Sequence, residues 1–217
     1  SRGRRLLSTC DSVARINVDL PDGDCGTGWM LTPELFITCW HVLAPSPAHK
    51  ASRKSVEERS EFIRIHFSEK PPENLTHQPD VSGGSLVAGV WGDPQLDSVI
   101  LRIKSKASLE PLPASKTRLK SVPGFWPANI PQYPGGKHLM IGARANRVVS
   151  ADETYVTYET DTERGSSGAP VCDDSWRVWA LHRANGNRGT QMAAILDWLS
   201  VNEKTVYDEV AAKGQLD

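Results

Sequence analysis

The chain has 217 residues, with 25 Lys and Arg, 26 Asp and Glu, and a formal net charge of −1. This length allows one compact domain or two small barrels that share an interface, and the balanced charge gives no electrostatic argument for a nucleic-acid or membrane partner. No apolar run approaches the roughly 20 residues that a membrane-spanning helix needs, and residues 1–5 lack the apolar segment of a secretory signal. We therefore expect a cytoplasmic protein, with a secreted mature form as the alternative.

Short apolar runs separated by turn residues recur along the chain, which is the pattern of an all-β fold. In the first half they predict strands over residues 13–18, 27–32, 35–39, 62–67, 86–91 and 98–103. In the second half they predict strands over residues 138–141, 147–150, 155–160, 169–172 and 177–182. The charged stretch 46–60 predicts an exposed loop or a short helix.

The regions between and after these strands divide the chain. Residues 109–136 contain six prolines, which disfavour central strands and predict an extended connector between two halves. From Met192 onward the apolar residues recur with a helical period, with a break near Val201 and Asn202. The pattern therefore predicts two β halves followed by a C-terminal helix.

A glycine-flanked serine lies in the second half. Residues 165–170 read Gly-Ser-Ser-Gly-Ala-Pro and lead into an apolar strand. A serine hydroxyl is a weak nucleophile that needs a base to take its proton, and that base needs an acid to orient it. We predict Ser167 as the nucleophile, with Ser166 as the alternative.

A base and an acid stand upstream in suitable settings. Of the six histidines, His41 alone follows a predicted apolar strand and begins a turn, so we predict it as the general base. Asp97 opens the strand 98–103, where a carboxylate is costly unless it finds a hydrogen-bonded partner such as an imidazole N–H. Asp97 is therefore the predicted orienting acid, and the weaker candidates are Asp80, Asp93 and Glu110.

Three segments together resemble the trypsin-like, chymotrypsin-fold serine peptidases. They are residues 26–29 running to Trp40 and His41, residues 97–101, and residues 165–170. The resemblance spans roughly residues 13–196 and is closer to the bacterial trypsin-like and glutamyl endopeptidase branches than to the digestive enzymes. It implies two six-stranded antiparallel β-barrels packed together, with the active site in the cleft between them and a C-terminal α-helix.

The resemblance also implies a division of the chain. It places an N-terminal extension over residues 1–12, a barrel with the His and the Asp over residues 13–115, a barrel with the Ser and the substrate pocket over residues 116–196, and the helix over residues 197–217. In such a fold the N–H groups of Gly165 and Ser167 form the oxyanion hole.

The cues for the S1 pocket conflict. Asp161 lies six residues before Ser167, where trypsin-like enzymes carry the acid that binds Arg or Lys. His182, fifteen residues after Ser167, and Thr162, five before it, match the glutamyl endopeptidases, which cleave after acidic residues. Asp161 and His182 can also pair with each other, or either can be structural, so the P1 preference stays open.

Ser166 argues against activation of the protein by cleavage of a zymogen. Digestive members of the family carry at this position an Asp that pairs with a new N-terminal amine after cleavage, and Ser166 has no charge for such a pair. We therefore expect control by a loop rearrangement or by a fused or associated sensor domain. The resemblance to peptidase effectors of bacterial defence and signalling proteins suggests such an arrangement by analogy.

The four cysteines show neither a Cys-x-x-Cys motif nor metal-ligand spacing, and they are Cys10, Cys25, Cys39 and Cys172. Secreted members of the family bridge a cysteine at the place of Cys25 to one directly after the catalytic His, where this chain has Val42. We expect reduced, mostly buried thiols rather than two disulfides, with no metal and no cofactor.

The sequence thus predicts a serine endopeptidase that hydrolyses a protein or peptide substrate through a Ser-His-Asp triad and an acyl-enzyme intermediate. The alternative is a catalytically inactive trypsin-fold binding module. A third reading, an unrelated all-β interaction domain, requires all the motif matches to be coincidences.

Overall fold

A computed structural model of the chain describes residues 2–45, 53–67, 76–77, 87–104, 110–122, 124–183 and 186–216. Residues 46–52 of the predicted charged segment, residue 86 of a predicted strand and the alternative acid Asp80 lie outside this range. The rest of the charged segment contains a helix, Arg53–Ser60.

The first half forms one sheet of seven strands. Its strands are β1 (Val13–Val18), β2 (Cys25–Met30), β3 (Leu35–Thr38), β4 (Ile63–His66), β5 (Thr76–His77), β6 (Val87–Asp93) and β7 (Ser98–Ile103). Their order in the sheet is β5-β4-β1-β2-β3-β7-β6, and the paired neighbours run antiparallel. All four residues of β3 and five of the six residues of β7 are buried, so the centre of this sheet is packed on both faces.

The second half forms a sheet of seven strands and a separate pair. Its strands are β8 (Pro113–Ala114), β9 (Ile130–Gln132), β10 (Met140–Gly142), β11 (Val148–Ala151), β12 (Tyr155–Tyr158), β13 (Pro170–Cys172), β14 (Val178–Arg183), β15 (Arg188–Gln191) and β16 (Gln215–Leu216). The large sheet has the order β11-β12-β15-β14-β8-β16, with β13 paired to β14, while β9 and β10 form the pair. The short strand β8 comes from the proline-rich connector and runs parallel to both β14 and β16.

Helices lie before, within and after the sheets. They are α1 (Arg2–Asp11), α2 (Trp40–Leu43), α3 (Arg53–Ser60), α4 (Met192–Asn202) and α5 (Lys204–Lys213), with a 3₁₀ turn at Pro134–Gly136. Within the described part of the chain, no helix is long and apolar enough to cross a membrane.

Two apolar clusters form the core. The larger one joins the first sheet to α4 and α5, because buried residues of these helices such as Ile195, Leu199 and Val210 belong to it. The smaller one lies in the second half, where the ring of Trp179 meets Trp126 edge-on at 6.4 Å between ring centres. The C-terminal helices therefore close the interior of the fold rather than extend from it.

The predicted fold class is confirmed: the chain is mainly β, with two curled antiparallel sheets and C-terminal helices. Among the described residues the first half has seven strands and the second half has nine, against six in each expected barrel. The two-residue strands β5, β8 and β16 are among those that the sequence did not predict. The expected break in the C-terminal helix lies at Glu203, between α4 and α5. Helix α1 lies in the stretch that the sequence indicated only as an extension.

Candidate active site

His41 and Asp97 are brought together at one end of the first sheet. His41 lies in the short helix α2, which begins directly after β3, and the backbone N–H of Trp40 donates to the carbonyl oxygen of Asp97 at 3.2 Å. The Asp97 carboxylate accepts the backbone N–H of His41 at 3.0 Å and the ring nitrogen Nδ1 at 2.8 Å. Because a carboxylate only accepts, Nδ1 carries the proton, which leaves Nε2 free to act as a base.

Asp97 is buried and has an unusual backbone conformation. It is 6% exposed, and its φ of +52° lies in the left-handed region that non-glycine residues rarely adopt. The preceding turn is closed by Asp93, whose carboxylate accepts the N–H groups of Gln95 and Leu96, both at 2.8 Å. Asp93, an alternative acid at the sequence level, is therefore engaged in forming the turn that presents Asp97.

The serine loop connects β12 to β13 and rests on β2. Its glycines, Gly165 and Gly168, have φ of +95° and +91°. A Cβ on Gly165 would lie 2.6 Å from the carbonyl oxygen of Tyr133, and one on Gly168 would lie 2.0 Å from the Thr27 carbonyl oxygen, so only glycine fits either place. The N–H of Thr27 donates to the Ser167 carbonyl at 2.8 Å. These contacts place Ser167 beside the strand pair that leads to His41.

The backbone N–H groups of the serine loop fall into two classes. Those of Ser166, Gly168 and Ala169 donate to protein carbonyls at 2.8–3.0 Å. Those of Gly165 and Ser167 have no acceptor among the residues that the structure describes. These two are the donors that the sequence predicted for an oxyanion hole.

The two serines of the loop have different surroundings. Ser166 is fully buried, and its hydroxyl accepts the N–H of Glu163 at 3.3 Å. Ser167 is 8% exposed, and within the described chain its hydroxyl has no hydrogen-bond partner, His41 included. Hydrogen bonds between nucleophile and base are often long without substrate and tighten when it binds. Burial and engagement of Ser166 favour Ser167 as the reactive hydroxyl.

His182 lies on β14, next to the serine loop, and is buried. Its backbone pairs with the loop, because its carbonyl accepts the N–H of Gly168 and its N–H donates to Ala169, both at 2.8 Å. Its Nδ1 is hydrogen-bonded to the hydroxyl of Tyr158 at 2.5 Å. Burial, aided by the nearby charge of His41, lowers the pKa of His182 from 6.5 to about 3, so the ring is neutral at neutral pH. Burial also raises the pKa of Tyr158 well above its usual value.

The other two S1 candidates lie elsewhere on the loop. Thr162 donates its hydroxyl to the side-chain oxygen of Asn187 at 2.7 Å. The side chain of Asp161 is exposed, its carbonyl accepts Gln132 Nε2 at 3.0 Å, and it lines a cleft of about 400 Å³ beside the β9–β10 pair. In the described part of the structure no hydrogen bond or ion pair joins Asp161 to His182, which pairs with Tyr158 instead.

Three potential metal ligands lie close together at the predicted site. Atoms of Cys39, His41 and Asp97 lie within 4.8 Å of one another, the one such group among the described residues. The Cys39 thiol lies 3.1 Å from the His182 carbonyl and donates to it, and burial raises its pKa well above the usual value. A protonated thiol is a poor metal ligand, so this group of residues fits the orientation of His41 by the Asp97 carboxylate better than metal binding.

All four cysteines are free, in agreement with the predicted thiols. Cys39 and Cys172 are buried, whereas Cys10 and Cys25 are half-buried.

Sequence reasoning missed three residues around the site: Tyr158, Tyr155 and Arg183. Arg183 Nε lies 3.6 Å from Asp97 Oδ2, and its guanidinium carbon lies 5.0 Å from the centre of the Tyr155 ring. These residues read as ordinary members of β strands, and the only local signal for Arg183 is that it follows His182.

A comparison with known protein families identifies the family of the chain. The profile of the trypsin-like peptidase domain family matches residues 26–181. The chain belongs to this family. The resemblance stated from the sequence motifs is thereby confirmed.

One curated relative and two solved structures place the chain among similar proteins. It is 27% identical to the uncharacterized protein y4fB of Sinorhizobium fredii over 95% of this chain and 32% of that protein, so it spans about a third of the relative's length. The active form of the Rv3671c protease from M. tuberculosis has a TM-score of 0.61 at 19% identity, covering 90% of this chain and 82% of that one. The structure of Deg5 has a TM-score of 0.64 at 17% identity, covering 93% and 95%. At these identities the structures support the fold alone.

Proposed function

We propose that the protein is a serine endopeptidase in which Ser167, His41 and Asp97 act as nucleophile, base and orienting acid. The observation that carries this proposal is the 2.8 Å contact between His41 Nδ1 and the Asp97 carboxylate, next to a serine loop that presents two unengaged N–H groups. Membership of the trypsin-like peptidase family supports the same reaction class.

The chemistry follows from this arrangement. Ser167 Oγ attacks the substrate carbonyl carbon while His41 Nε2 takes its proton, and the carbonyl oxygen becomes an oxyanion that accepts the N–H groups of Gly165 and Ser167. The imidazolium then gives its proton to the leaving amine, which departs and leaves an acyl group on Ser167. Water repeats the sequence in the second half, losing its proton to His41 and releasing the carboxylic acid and the free serine.

We also propose that the P1 side chain ends in an acceptor oxygen, as in Glu or Gln. Tyr158 donates its hydroxyl proton to Nδ1 of the neutral His182 ring, so Nε2 carries the ring proton and can donate to such an oxygen. The exposed Asp161 supports a basic P1 residue less well, because its side chain lies on the cleft beside β9 and β10. His182→Gln should therefore weaken cleavage after Glu and Gln, whereas Asp161→Asn should leave it intact. Cleavage after Arg or Lys by the unmodified protein would contradict this assignment.

The cellular role that we propose is that of a regulated peptidase unit within a longer cytoplasmic protein. The support is that the chain spans only 32% of the protein y4fB, and that Ser166 cannot form the ion pair of zymogen activation. A fused or associated sensor domain and an effector role in bacterial defence or signalling belong to this proposal.

Three proteins test the reaction: the unmodified chain, Ser167→Ala and Ser166→Ala. Each is incubated with a mixed peptide library, read by mass spectrometry, and with a fluorophosphonate probe, which labels only an activated serine. We expect cleavage and labelling by the unmodified chain and by Ser166→Ala, and neither by Ser167→Ala. Normal cleavage by Ser167→Ala would refute the mechanism. The alternative is an inactive binding module, and it is supported by the lack of a hydrogen bond between the Ser167 hydroxyl and His41. It predicts neither cleavage nor labelling by any of the three proteins.

A further inference from the structure

Two hydroxyl groups of the second sheet hold the loop that leads into Asp97. The Tyr155 hydroxyl donates to the carbonyl of Gln95 at 2.9 Å, and the Thr190 hydroxyl donates to the carbonyl of Leu96 at 2.8 Å. Tyr155 and Thr190 are direct cross-strand partners on β12 and β15, so the ladder of the sheet sets their relative position. Two consecutive carbonyls of the first half are therefore anchored at a single point of the second.

Arg183 adds a third contact to the next residue of the same loop. Its Nε lies 3.6 Å from Asp97 Oδ2, and its guanidinium group lies over the ring of Tyr155. Arg188, its cross-strand partner, lies over the same ring, with its guanidinium carbon 4.1 Å from the ring centre. In the part of the chain that the structure describes, no hydrogen bond or ion pair joins Arg188 to Asp97. Residues 95, 96 and 97 thus each receive one contact from the second sheet.

Asp97 needs contacts from other residues to keep its backbone conformation, because that conformation is intrinsically unfavourable. A φ of +52° is unfavourable for a residue with a Cβ, and such a conformation persists only when the surroundings impose it. Within the first sheet, the Asp97 carbonyl accepts the N–H of Trp40 only at 3.2 Å, and the Asp93 carboxylate holds the N–H side of the turn. The carbonyl side of the turn is held by Tyr155 and Thr190.

We propose that Tyr155, Thr190 and Arg183, here called the brace, are positioning residues that set the place of Asp97 and through it the orientation of His41. The acid of the first half is then placed by the second half, so the His41–Asp97 pair is complete only when the two sheets are docked at this point. The catalytic consequence rests on the proposed function, whereas the geometric one does not.

Removal of single hydroxyl groups tests the brace without changing any charge. Tyr155→Phe keeps the ring under the two arginines, and Thr190→Val keeps the volume of the side chain. The matched control is Thr157→Val, which removes a hydroxyl of β12 whose one hydrogen-bond partner among the described residues is Ser150 on the same sheet, at 2.5 Å. Thr190→Ser, which keeps the hydroxyl, is the rescue variant.

The kinetic readout separates positioning from a loss of folded protein. At temperatures where each variant is fully folded, Tyr155→Phe and Thr190→Val should each lower kcat by about 3- to 10-fold, the effect of one lost hydrogen bond. KM should change by less than about twofold, because neither hydroxyl faces the predicted S1 residues. Thr157→Val and Thr190→Ser should keep the kcat of the unmodified chain. Equal kcat values in all five proteins would overturn the proposal.

A spectroscopic readout tests the brace even if the protein cleaves nothing. The proton on His41 Nδ1, shared with the Asp97 carboxylate, should give a far-downfield proton resonance in ¹⁵N-histidine-labelled protein. We expect this resonance to move upfield or to broaden in Tyr155→Phe and Thr190→Val and to stay in place in Thr157→Val. If the unmodified chain neither cleaves nor reacts with the fluorophosphonate, the proposed function fails while this comparison still decides on the brace. An unchanged resonance in both variants would overturn it.

Discussion

His182 should make the folded protein sensitive to mild acid. Burial lowers the pKa of this histidine to about 3, while in the unfolded chain it has its ordinary value of 6.5. Between these two values the unfolded chain binds a proton at this ring that the folded protein does not bind. The free energy of unfolding therefore falls as the pH falls from about 6.5 toward 3, and above 6.5 the residue has no effect on the pH dependence.

The size of the effect follows from the separation of the two pKa values. One pKa unit corresponds to about 1.4 kcal/mol, so the free energy of unfolding should decrease by roughly that amount for each pH unit between pH 6 and pH 4. Accumulated over the whole window, the loss from this one ring approaches roughly 5 kcal/mol, a large part of the stability of an ordinary domain.

The assay is urea unfolding of the unmodified chain and of His182→Gln at several pH values from 4 to 7. Glutamine offers the Tyr158 hydroxyl an acceptor and does not titrate, so the variant should lose less stability on acidification. The difference between the two slopes isolates His182 from the carboxylates, which titrate in both proteins. His66→Gln is the control, because burial and the charge of Arg15 lower the pKa of this half-buried ring as well, but less. Parallel pH dependences of the unmodified chain and His182→Gln would refute the burial of a neutral ring.

Three further predictions concern the site. Gly165→Ala should lower kcat by about 100-fold, because its Cβ would lie 2.6 Å from the Tyr133 carbonyl oxygen and would push the oxyanion donors out of place; hydrolysis as fast as that of the unmodified chain would exclude a tight loop. Asp97→Asn should lower kcat by about 10³- to 10⁴-fold by favouring the wrong imidazole tautomer, and an unchanged rate in peptide hydrolysis would mean that another acid orients the base. A maleimide should modify half-buried Cys25 well before buried Cys39, because burial raises the pKa of the Cys39 thiol further. Mass spectrometry measures the two rates of modification, and equal rates would show that the interior beside the site opens readily.

The order and local settings of the predicted site residues could be predicted from the sequence because each depends on a short-range requirement. The serine loop turns through two residues with φ near +90°, which indicates glycine at positions 165 and 168. His41 lies three residues after β3, all of whose residues are buried, and Asp97 comes directly before β7, of whose six residues five are buried. Such signals lie within a few residues of the side chain that they concern.

The helical parts of the chain were predicted less completely. Helix α4 begins at Met192, where the apolar period starts, and the break before α5 agrees with the expectation. Helix α1 was missed because its arginines and leucines, which are good helix formers, are accompanied by Gly3 and by a final run of Ser, Thr, Cys and Asp, all of lower helix propensity.

By itself, the sequence determined the β class and the family, and it supplied the three residues on which the proposed mechanism depends. The tertiary structure alone decided what surrounds them: Tyr158 beside His182, Cys39 under the site, and the hold of Tyr155 and Thr190 on the loop before Asp97. The hydroxyls of Tyr155 and Thr190 meet carbonyls 60 and 94 residues earlier in the chain. No period of a strand or helix encodes a contact at such a distance, because it exists only after the two sheets have packed together.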